Sequence, residues 1–142
     1  MTQIDDLVFI GDLSDAQNPA GISAILNCAS DMHFYYDALP IAKCGLHDGP
    51  GNEVAMYYAA LFALAAFTRK KWRTLVCCHG GESRSVAVAI GYLHATKGGG
   101  WDHWRSEMHK ARPLERQNPV PAMRMLFDLV DWLFVKSIIR GG

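Results

Sequence analysis

One stretch in the middle of the chain, Thr74 to Leu93, limits the possible folds more than any other. It begins with the apolar run Thr74–Cys77, passes through a loop with two glycines, and continues from about Ser85 with branched apolar residues at helical spacing. This pattern predicts a buried strand, a tight loop and a helix capped by Ser83 or Ser85. A strand that leads into a helix in this way directs backbone N–H groups and the positive end of the helix dipole towards one point. The stretch therefore predicts an anion-binding loop inside an α/β fold.

The rest of the chain alternates between strand-like and helix-like segments. Three more strands are predicted, at Leu7–Ile10, Ile22–Asn27 and Ile41–Leu46. Helical segments are predicted at Asp12–Gly21 (a short helix or turn), Glu53–Arg69, Trp101–Lys110 and Ala122–Ile139. We expect the last helix to pack through Met125, Leu126, Leu129, Trp132, Leu133 and Val135. The alternation predicts an α/β fold with a central, mostly parallel sheet of four to five strands, flanked by helices on both faces.

Composition bounds the class of protein. The chain has 142 residues, half of them hydrophobic, which predicts a single domain over residues 1–142. Fourteen basic residues balance fourteen acidic ones, so no overall field favours nucleic acid or an acidic membrane as a partner. No apolar run reaches the roughly 18 residues of a membrane span, and the start of the chain does not resemble a secretory signal. Four cysteines without metal-type spacing favour a reducing compartment, so a cytoplasmic location without metal or cofactor is expected.

Two residues give the anion-binding loop its chemistry. Cys78 stands where the strand ends, and Arg84 stands where the helix begins. A helix N-terminus and a nearby guanidinium both stabilise a thiolate, so Cys78 is the predicted nucleophile. A thiolate is suited to attack a phosphoryl centre that loop amides and a bidentate Arg84 hold in place. Zinc binding by Cys77, Cys78 and His79 is disfavoured, because three consecutive residues rarely converge on one tetrahedral ion.

The pattern Cys78-x5-Arg84 followed by Ser85, with Gly81 and Ser83 inside it, resembles the signature loop of the cysteine-based protein tyrosine phosphatases. The small size and the ending Ser83-Arg84-Ser85 resemble the dual-specificity branch. The resemblance implies that phosphate is bound by His79, Gly80, Gly81, Glu82, Ser83 and Arg84. Looser likenesses to the family lie in Leu7–Gly11, Ala24–Asn27, Arg112-Pro113 and Asn118-Pro119. Glu82 is expected to face solvent or to brace Arg84.

The resemblance also implies a proton donor upstream of the cysteine. Asp48, in a loop rich in glycine and proline, takes the place of the family's general acid. Asp31 and Asp37 are the alternatives, and His47 is a possible modulator. A structural alternative for Asp48 is that it caps the turn before the helix at Glu53.

Ser85 has two interpretations. As a functional residue, its hydroxyl donates a hydrogen bond to the sulfur of Cys78 and eases the departure of that sulfur from the phosphoenzyme. As a structural residue, it is a helix cap, and both interpretations can hold together.

The chain departs from the family pattern at Cys77, which stands where a histidine usually precedes the nucleophile. A thiol is a weaker hydrogen-bond partner than imidazole, so a less stabilised thiolate and modest activity are expected. Cys28, in a position resembling the resolving cysteine of lipid-phosphatase relatives, is the preferred disulfide partner of Cys78, and Cys77 is the second choice. Cys28, Cys44 and Cys77 can equally be small buried hydrophobes.

Phosphorylated proteins are the expected partners and substrates. The loop lacks the lysines of phosphoinositide-type relatives, and the short chain favours a shallow cleft that admits phosphoserine and phosphothreonine beside phosphotyrosine. Phe34, Tyr35 and Tyr36 are candidates to line the cleft, although a core or lid role is equally compatible with the sequence. A weakly active phospho-residue binding module and a phosphatase of RNA 5′ ends or carbohydrates are the alternatives. The sequence leaves the oligomeric state open.

Overall fold

The computed structural model describes residues 1–34, 38–111 and 119–141. Five strands run along the chain: β1 (Thr2–Gln3), β2 (Val8–Gly11), β3 (Ala24–Ala29), β4 (Ile41–Leu46) and β5 (Thr74–Cys77). The helices are α1 (Leu13–Gln17), α2 (Val54–Arg69), α3 (Arg84–Lys97), α4 (Gly100–Ala111), α5 (Pro121–Leu129) and α6 (Trp132–Gly141). The predicted strands and all helices but the last are therefore found close to their expected bounds.

The strands form one sheet in the order β1-β2-β5-β3-β4. Strands β2 to β5 are parallel, and β1 pairs antiparallel with β2, so the predicted mostly parallel sheet is confirmed. The two-residue strand β1 was not predicted, since it is too short for an alternating pattern to be visible. Cys77 lies beside Gly11 of β2 and Asn27 of β3, which brings the ends of three parallel strands together.

Side chains alternate between two cores along each central strand, as the period of two requires. Leu26 and Cys28 of β3 join the larger core beneath the long helices, whereas Ile25 and Ala29 join a smaller core on the opposite face. Helices α2 and α3 contact the strands directly, and α4 to α6 pack against those two helices. The short helix α1 contacts β2 and β5 and supplies Ala16 to the smaller core. The prediction of helices on both faces is confirmed.

The predicted single helix over Ala122–Ile139 is wrong, because the chain forms two helices there. Val130 has an extended backbone with ψ of 137°, which ends α5. Asp131 then starts α6, since its carboxylate accepts the N–H of Phe134 at 3.1 Å. The N–H of Asp131 donates to the hydroxyl of Tyr58 at 2.8 Å. These side-chain partners stabilise a break that helical periodicity does not reveal.

The apolar stripe predicted for this segment is buried only in part. Leu126 and Val135 belong to the larger core as predicted, but Met125, Leu129 and Leu133 are 65%, 68% and 85% exposed. Met125 and Leu129 lie in α5, whose buried residues are Met123, Leu126 and Phe127, so the predicted stripe is not the buried face of that helix. In α6 the buried residue is Val135, and Leu133 lies on the exposed side. Among the described residues, no helix is long and apolar enough to cross a lipid bilayer.

Candidate active site

The loop between β5 and α3 lies at the carboxyl edge of the sheet and is packed against the turn after β2. Gly81 has φ of +67°, and a Cβ added there would lie 2.9 Å from the carbonyl carbon and oxygen of Gly11. The N–H of Leu13 donates to the carbonyl of His79 at 3.3 Å. Only glycine fits this close approach in this left-handed conformation. The loop is therefore held from outside by β2 and α1.

The backbone N–H groups of this loop have no acceptors in the described part of the chain. No hydrogen bond there uses the N–H of any residue from His79 to Ser85, and the first N–H of α3 to find an acceptor is that of Ala87, bonded to Ser83. Free N–H groups at a helix start form a binding site for anions. The predicted phosphate-binding residues His79, Gly80, Gly81, Glu82 and Ser83 all lie here, and their roles stay predictions.

Cys78 lies at the start of the loop and is 2% exposed. Its Sγ is 3.2 Å from the hydroxyl oxygen of Ser85, so this pair of side chains is brought together as expected. Ser85 lies inside α3 and is not its cap residue, so the structural interpretation as a helix cap does not hold. Its hydroxyl instead contacts the sulfur of Cys78.

Ser83 occupies the N-cap position of α3, but its side chain makes no capping hydrogen bond. Its hydroxyl instead accepts the N–H of Val120 at 3.1 Å. The prediction of a cap residue is therefore confirmed for Ser83 by position, without a side-chain capping bond, and is wrong for Ser85, which lies inside the helix. The reason is that each hydroxyl has a tertiary partner, and the helix start keeps its free N–H groups.

Arg84 is a buried cation with one edge engaged and one atom free. Its side chain is 6% exposed, and its Nη1 donates to Oδ1 of Asp31 at 2.7 Å and to the carbonyl of Leu46 at 3.0 Å. Its Nε is buried and has no hydrogen-bond partner. A buried donor without an acceptor is costly, so this atom is suited to bind an oxyanion. Glu82 is half-buried and makes no hydrogen bond to Arg84, so the predicted bracing is not observed.

Asp48 lies in the loop that follows β4 and is exposed. In the described part of the chain its carboxylate makes no hydrogen bond or ion pair. The N-cap residue of α2 is Glu53, without a side-chain bond, so the alternative of a capping Asp48 is not seen. The loop itself is fixed by Asn52, which accepts from His47 N–H at 2.8 Å and donates to the carbonyls of His47 and Gly49 at 2.8 and 3.0 Å. The catalytic role of Asp48 stays a prediction.

The alternatives to Asp48 differ in what the structure says of them. The hydrogen bond from Arg84 holds the pKa of Asp31 below its usual range, which makes Asp31 a poor proton donor. Asp37, together with Tyr35, Tyr36, Arg112-Pro113 and Asn118, lies outside the described residues. The Nδ1 of His47 is 3.1 Å from the hydroxyl of Ser30, so the imidazole links the loops that carry Asp48 and Asp31.

All four cysteines are buried free thiols. The Sγ of Cys77 donates to the carbonyl of Leu26 at 3.7 Å, and burial raises the pKa of both Cys77 and Cys28. A thiol with a raised pKa is a slow nucleophile, and this agrees with the interpretation of both as small buried hydrophobes. The pairing of either with Cys78 stays a prediction. The described residues contain no cluster of three or more histidine, cysteine or acidic side chains that could hold a metal ion.

Sequence reasoning missed two asparagines that shape the site. Asn52 fixes the loop of Asp48, as described above. Asn27, 2% exposed at the end of β3, donates to the carbonyl of Met32 at 2.8 Å and accepts the N–H of Ala29 at 2.9 Å. It thereby shapes the turn that carries Asp31. A polar residue inside a predicted buried strand was the available signal for Asn27.

Comparison with known proteins supports the resemblance to the dual-specificity phosphatases at the level of fold. No protein-family model matches the chain. Dual specificity protein phosphatase 14 is 29% identical in its human and bovine forms over 147 aligned residues, which cover 99% of this chain and 74% of the relative. The crystal structure of DUSP15 has a TM-score of 0.88 at 17% identity, covering 99% of this chain and 95% of that one.

Two further solved structures share the fold. Human DUSP28 has a TM-score of 0.77 at 18% identity and covers 99% of both chains. The human tyrosine phosphatase-like serine/threonine/tyrosine-interacting protein has a TM-score of 0.80 at 17% identity, covering 95% of this chain and 97% of that one. The chain has the dual-specificity phosphatase fold, and the resemblance drawn from its signature loop is confirmed.

Proposed function

We propose that the chain is a protein phosphatase that hydrolyses phosphate monoesters through a phosphocysteine on Cys78. The observation that carries the proposal is the buried, unpaired Nε of Arg84 beside a loop whose N–H groups have no acceptors. A tetrahedral phosphoryl group with a double negative charge satisfies both sets of donors at once. Cys78 stands at the start of the same loop, where a thiolate meets the phosphorus of a group bound there.

The proposed reaction has two displacements. In the first, a lone pair of the Cys78 thiolate forms the S–P bond while the ester P–O bond breaks, and the leaving oxygen takes a proton from the carboxylic acid of Asp48. In the second, the carboxylate of Asp48 takes a proton from water, whose oxygen attacks the phosphorus. The S–P bond breaks, inorganic phosphate forms, and the hydroxyl of Ser85, 3.2 Å from the sulfur, donates a hydrogen bond to the leaving thiolate.

Phosphotyrosine, phosphoserine and phosphothreonine of proteins are the proposed substrates. The signature loop contains no lysine, which favours a singly phosphorylated side chain over a highly charged inositol head group. The names of the relatives, which are dual-specificity phosphatases, agree with this choice. Four free thiols favour a reducing compartment, so we place the protein in the cytoplasm.

Hydrolysis of para-nitrophenyl phosphate by the wild type and by Cys78→Ser tests the proposal. We expect the variant to lose at least about 10⁴-fold in kcat, because a serine hydroxyl is not ionised at neutral pH and is a far weaker nucleophile. It should still bind vanadate or inorganic phosphate, since the loop amides and Arg84 are unchanged. Equal rates for the two proteins would contradict the phosphocysteine. A panel of phosphopeptides, inositides and triphosphate-ended RNA then identifies the substrate class.

A phospho-residue binding module is the second candidate. Cys77 favours it, because its thiol donates to Leu26 in the sheet and the usual histidine is absent from this position. A thiolate without that support is expected to react slowly while the anion site stays intact. A wild type that binds phosphopeptides but hydrolyses para-nitrophenyl phosphate no faster than Cys78→Ser would favour this second function.

A further inference from the structure

We propose that Asp31 is a positioning residue that orients Arg84 for phosphate, and that it is not the proton donor of the reaction. The proposal rests on the proposed function of this site. It assigns to Asp31 a role that acts through the guanidinium and requires no contact with substrate.

The two sides of the guanidinium are used differently. Asp31 and the carbonyl of Leu46 both accept hydrogen bonds from the same atom, Nη1, at 2.7 and 3.0 Å. Two acceptors on one nitrogen fix the plane of the rigid, planar group. The Nε atom, which lies in the same plane on another edge of the group, is left buried and unpaired. The contacts therefore hold Arg84 in the orientation in which it presents a free donor.

The same geometry separates positioning from masking. An acidic residue that masked the site would accept a hydrogen bond from Nε, and phosphate would have to displace that carboxylate in order to bind. Asp31 bonds Nη1 and leaves Nε without an acceptor, so phosphate and Asp31 do not require the same atom. Phosphate can bind while the ion pair persists, and the carboxylate then keeps the guanidinium from rotating away.

The position of Asp31 is supported by its buried partner and by the turn that carries it. Its side chain is 63% exposed, and exposed ion pairs contribute little where both partners move freely. Here the partner Arg84 is buried, and the turn of Asp31 is shaped by the hydrogen bonds of the buried Asn27 to Ala29 and Met32. The sheet thus supports Asn27, which shapes the turn, and the turn carries the carboxylate that orients Arg84. Such support for a ligand-binding side chain is typical of preorganised sites.

Three variants test the proposal: Asp31→Ala, Asp31→Asn and the matched control Asp102→Ala. Asp102 also pairs with an arginine, Arg124, at 3.1 Å, but on the outer surface. We expect Asp31→Ala to weaken inhibition by inorganic phosphate about 10-fold and to lower kcat/KM for para-nitrophenyl phosphate about 10- to 100-fold, because a misplaced guanidinium loses transition-state contacts. Asp31→Asn keeps an oxygen acceptor and should recover most of this loss. Asp102→Ala should match the wild type.

A double-variant comparison separates positioning from general stability. If Asp31 acts through the guanidinium, Asp31→Ala should cost less than about threefold in an Arg84→Lys background, where no planar group remains to be oriented. An equal cost in both backgrounds would overturn the proposal. So would tighter phosphate binding by Asp31→Ala, which is the result that masking predicts. If Asp31→Ala does not fold, Asp31→Ser, whose side chain is polar but too short to reach Nη1, replaces it in the same comparison.

The outcomes also distinguish this inference from the proposed function. A wild type that hydrolyses para-nitrophenyl phosphate, with Asp31→Ala equal to it in both kcat/KM and phosphate affinity, overturns positioning alone. A wild type that binds phosphate without hydrolysing it overturns the proposed function, and the phosphate affinities of the Asp31 variants still decide the role of Asp31. A wild type that neither binds nor hydrolyses phosphate esters overturns both.

Discussion

Two loops meet at the carboxyl edge of the sheet, and they are built in opposite ways. The loop from Cys78 to Ser83 begins at a buried strand and ends at a buried helix, and Gly81 packs against the backbone of Gly11. The loop from His47 to Asn52 begins at the edge strand β4, exposes Asp48, and is held mainly by the side chain of Asn52. One loop is fixed by tertiary packing and the other by its own side chains.

The difference matches the tasks that we propose for the loops. Binding and stabilising a phosphoryl group needs donors that do not move when charge develops, so these belong on a rigid junction of strand and helix. A proton donor must approach the leaving group and later a water molecule, and it must reach solvent between the two steps. An exposed edge loop allows this. We therefore expect changes in the first loop to affect every substrate and changes in the second to depend on the leaving group.

Among the variants that test this contrast between the loops, the largest effect is expected from Gly81→Ala. The new Cβ would lie within 2.9 Å of the Gly11 carbonyl, and the residue would keep a left-handed φ of +67° that costs about 1–2 kcal/mol for a non-glycine residue. The loop must shift, so we expect kcat/KM to fall at least about 100-fold for every leaving group and phosphate binding to weaken in parallel. Steady-state kinetics and phosphate inhibition measure both.

Gly80→Ala is the matched comparison for that variant. A Cβ at Gly80 would meet only the side chain of Glu82, at 3.8 Å, which is an ordinary contact distance. We expect a loss within about tenfold, because the backbone need not move. Similar losses for the two variants would show that the packing of Gly81 against Gly11 does not hold the loop.

The next effect, in order of size, is that of Asp48→Asn. The amide has the shape of the carboxylic acid but cannot donate a proton to a leaving alkoxide, so we expect about a 100-fold loss of kcat with poor leaving groups such as phenyl phosphate. The loss should shrink as the leaving group becomes more acidic. Asp6→Asn, which removes one exposed charge in the connection between β1 and β2, is the control. A loss that is the same for all leaving groups would remove Asp48 from its proposed role.

The same contrast between the two loops explains how much of the structure could be predicted from the sequence. Strand β5, the glycine loop and α3 were predicted because buried runs and helical spacing are local signals, and the loop residues came with them. The candidate nucleophile and its serine are only seven positions apart, and their side chains do lie 3.2 Å from each other. The residues of this loop could be predicted from local sequence because they are close together in the chain.

Contacts between distant segments could not be predicted in this way. Arg84 and Asp31 are 53 positions apart, and Ser83 and Val120 are 37 apart, so neither pair forms a sequence pattern. The sequence therefore presents Asp31 as an alternative proton donor, whereas in the structure it accepts a hydrogen bond from Arg84. The break at Val130 likewise depends on Tyr58 in another helix, whose hydroxyl accepts the N–H of Asp131. Side-chain partners supplied by the tertiary fold decided each case.

The smallest effect is expected from Asn52→Ala, and it tests whether the second loop is preorganised or only tethered. Removing the side chain deletes three hydrogen bonds, two to His47 and one to Gly49, which flank Asp48. The loop can still reach the site, so the acid should be present in fewer productive conformations, with a loss of about 3- to 10-fold for phenyl phosphate. Para-nitrophenyl phosphate, whose leaving group needs less protonation, should be affected about twofold at most. A loss as large as that of Asp48→Asn would mean that Asn52 holds the acid as firmly as packing holds Gly81, and the contrast between the two loops would fail. An Asn52→Ala variant that equals the wild type with both substrates would show that Asp48 needs no support from its loop.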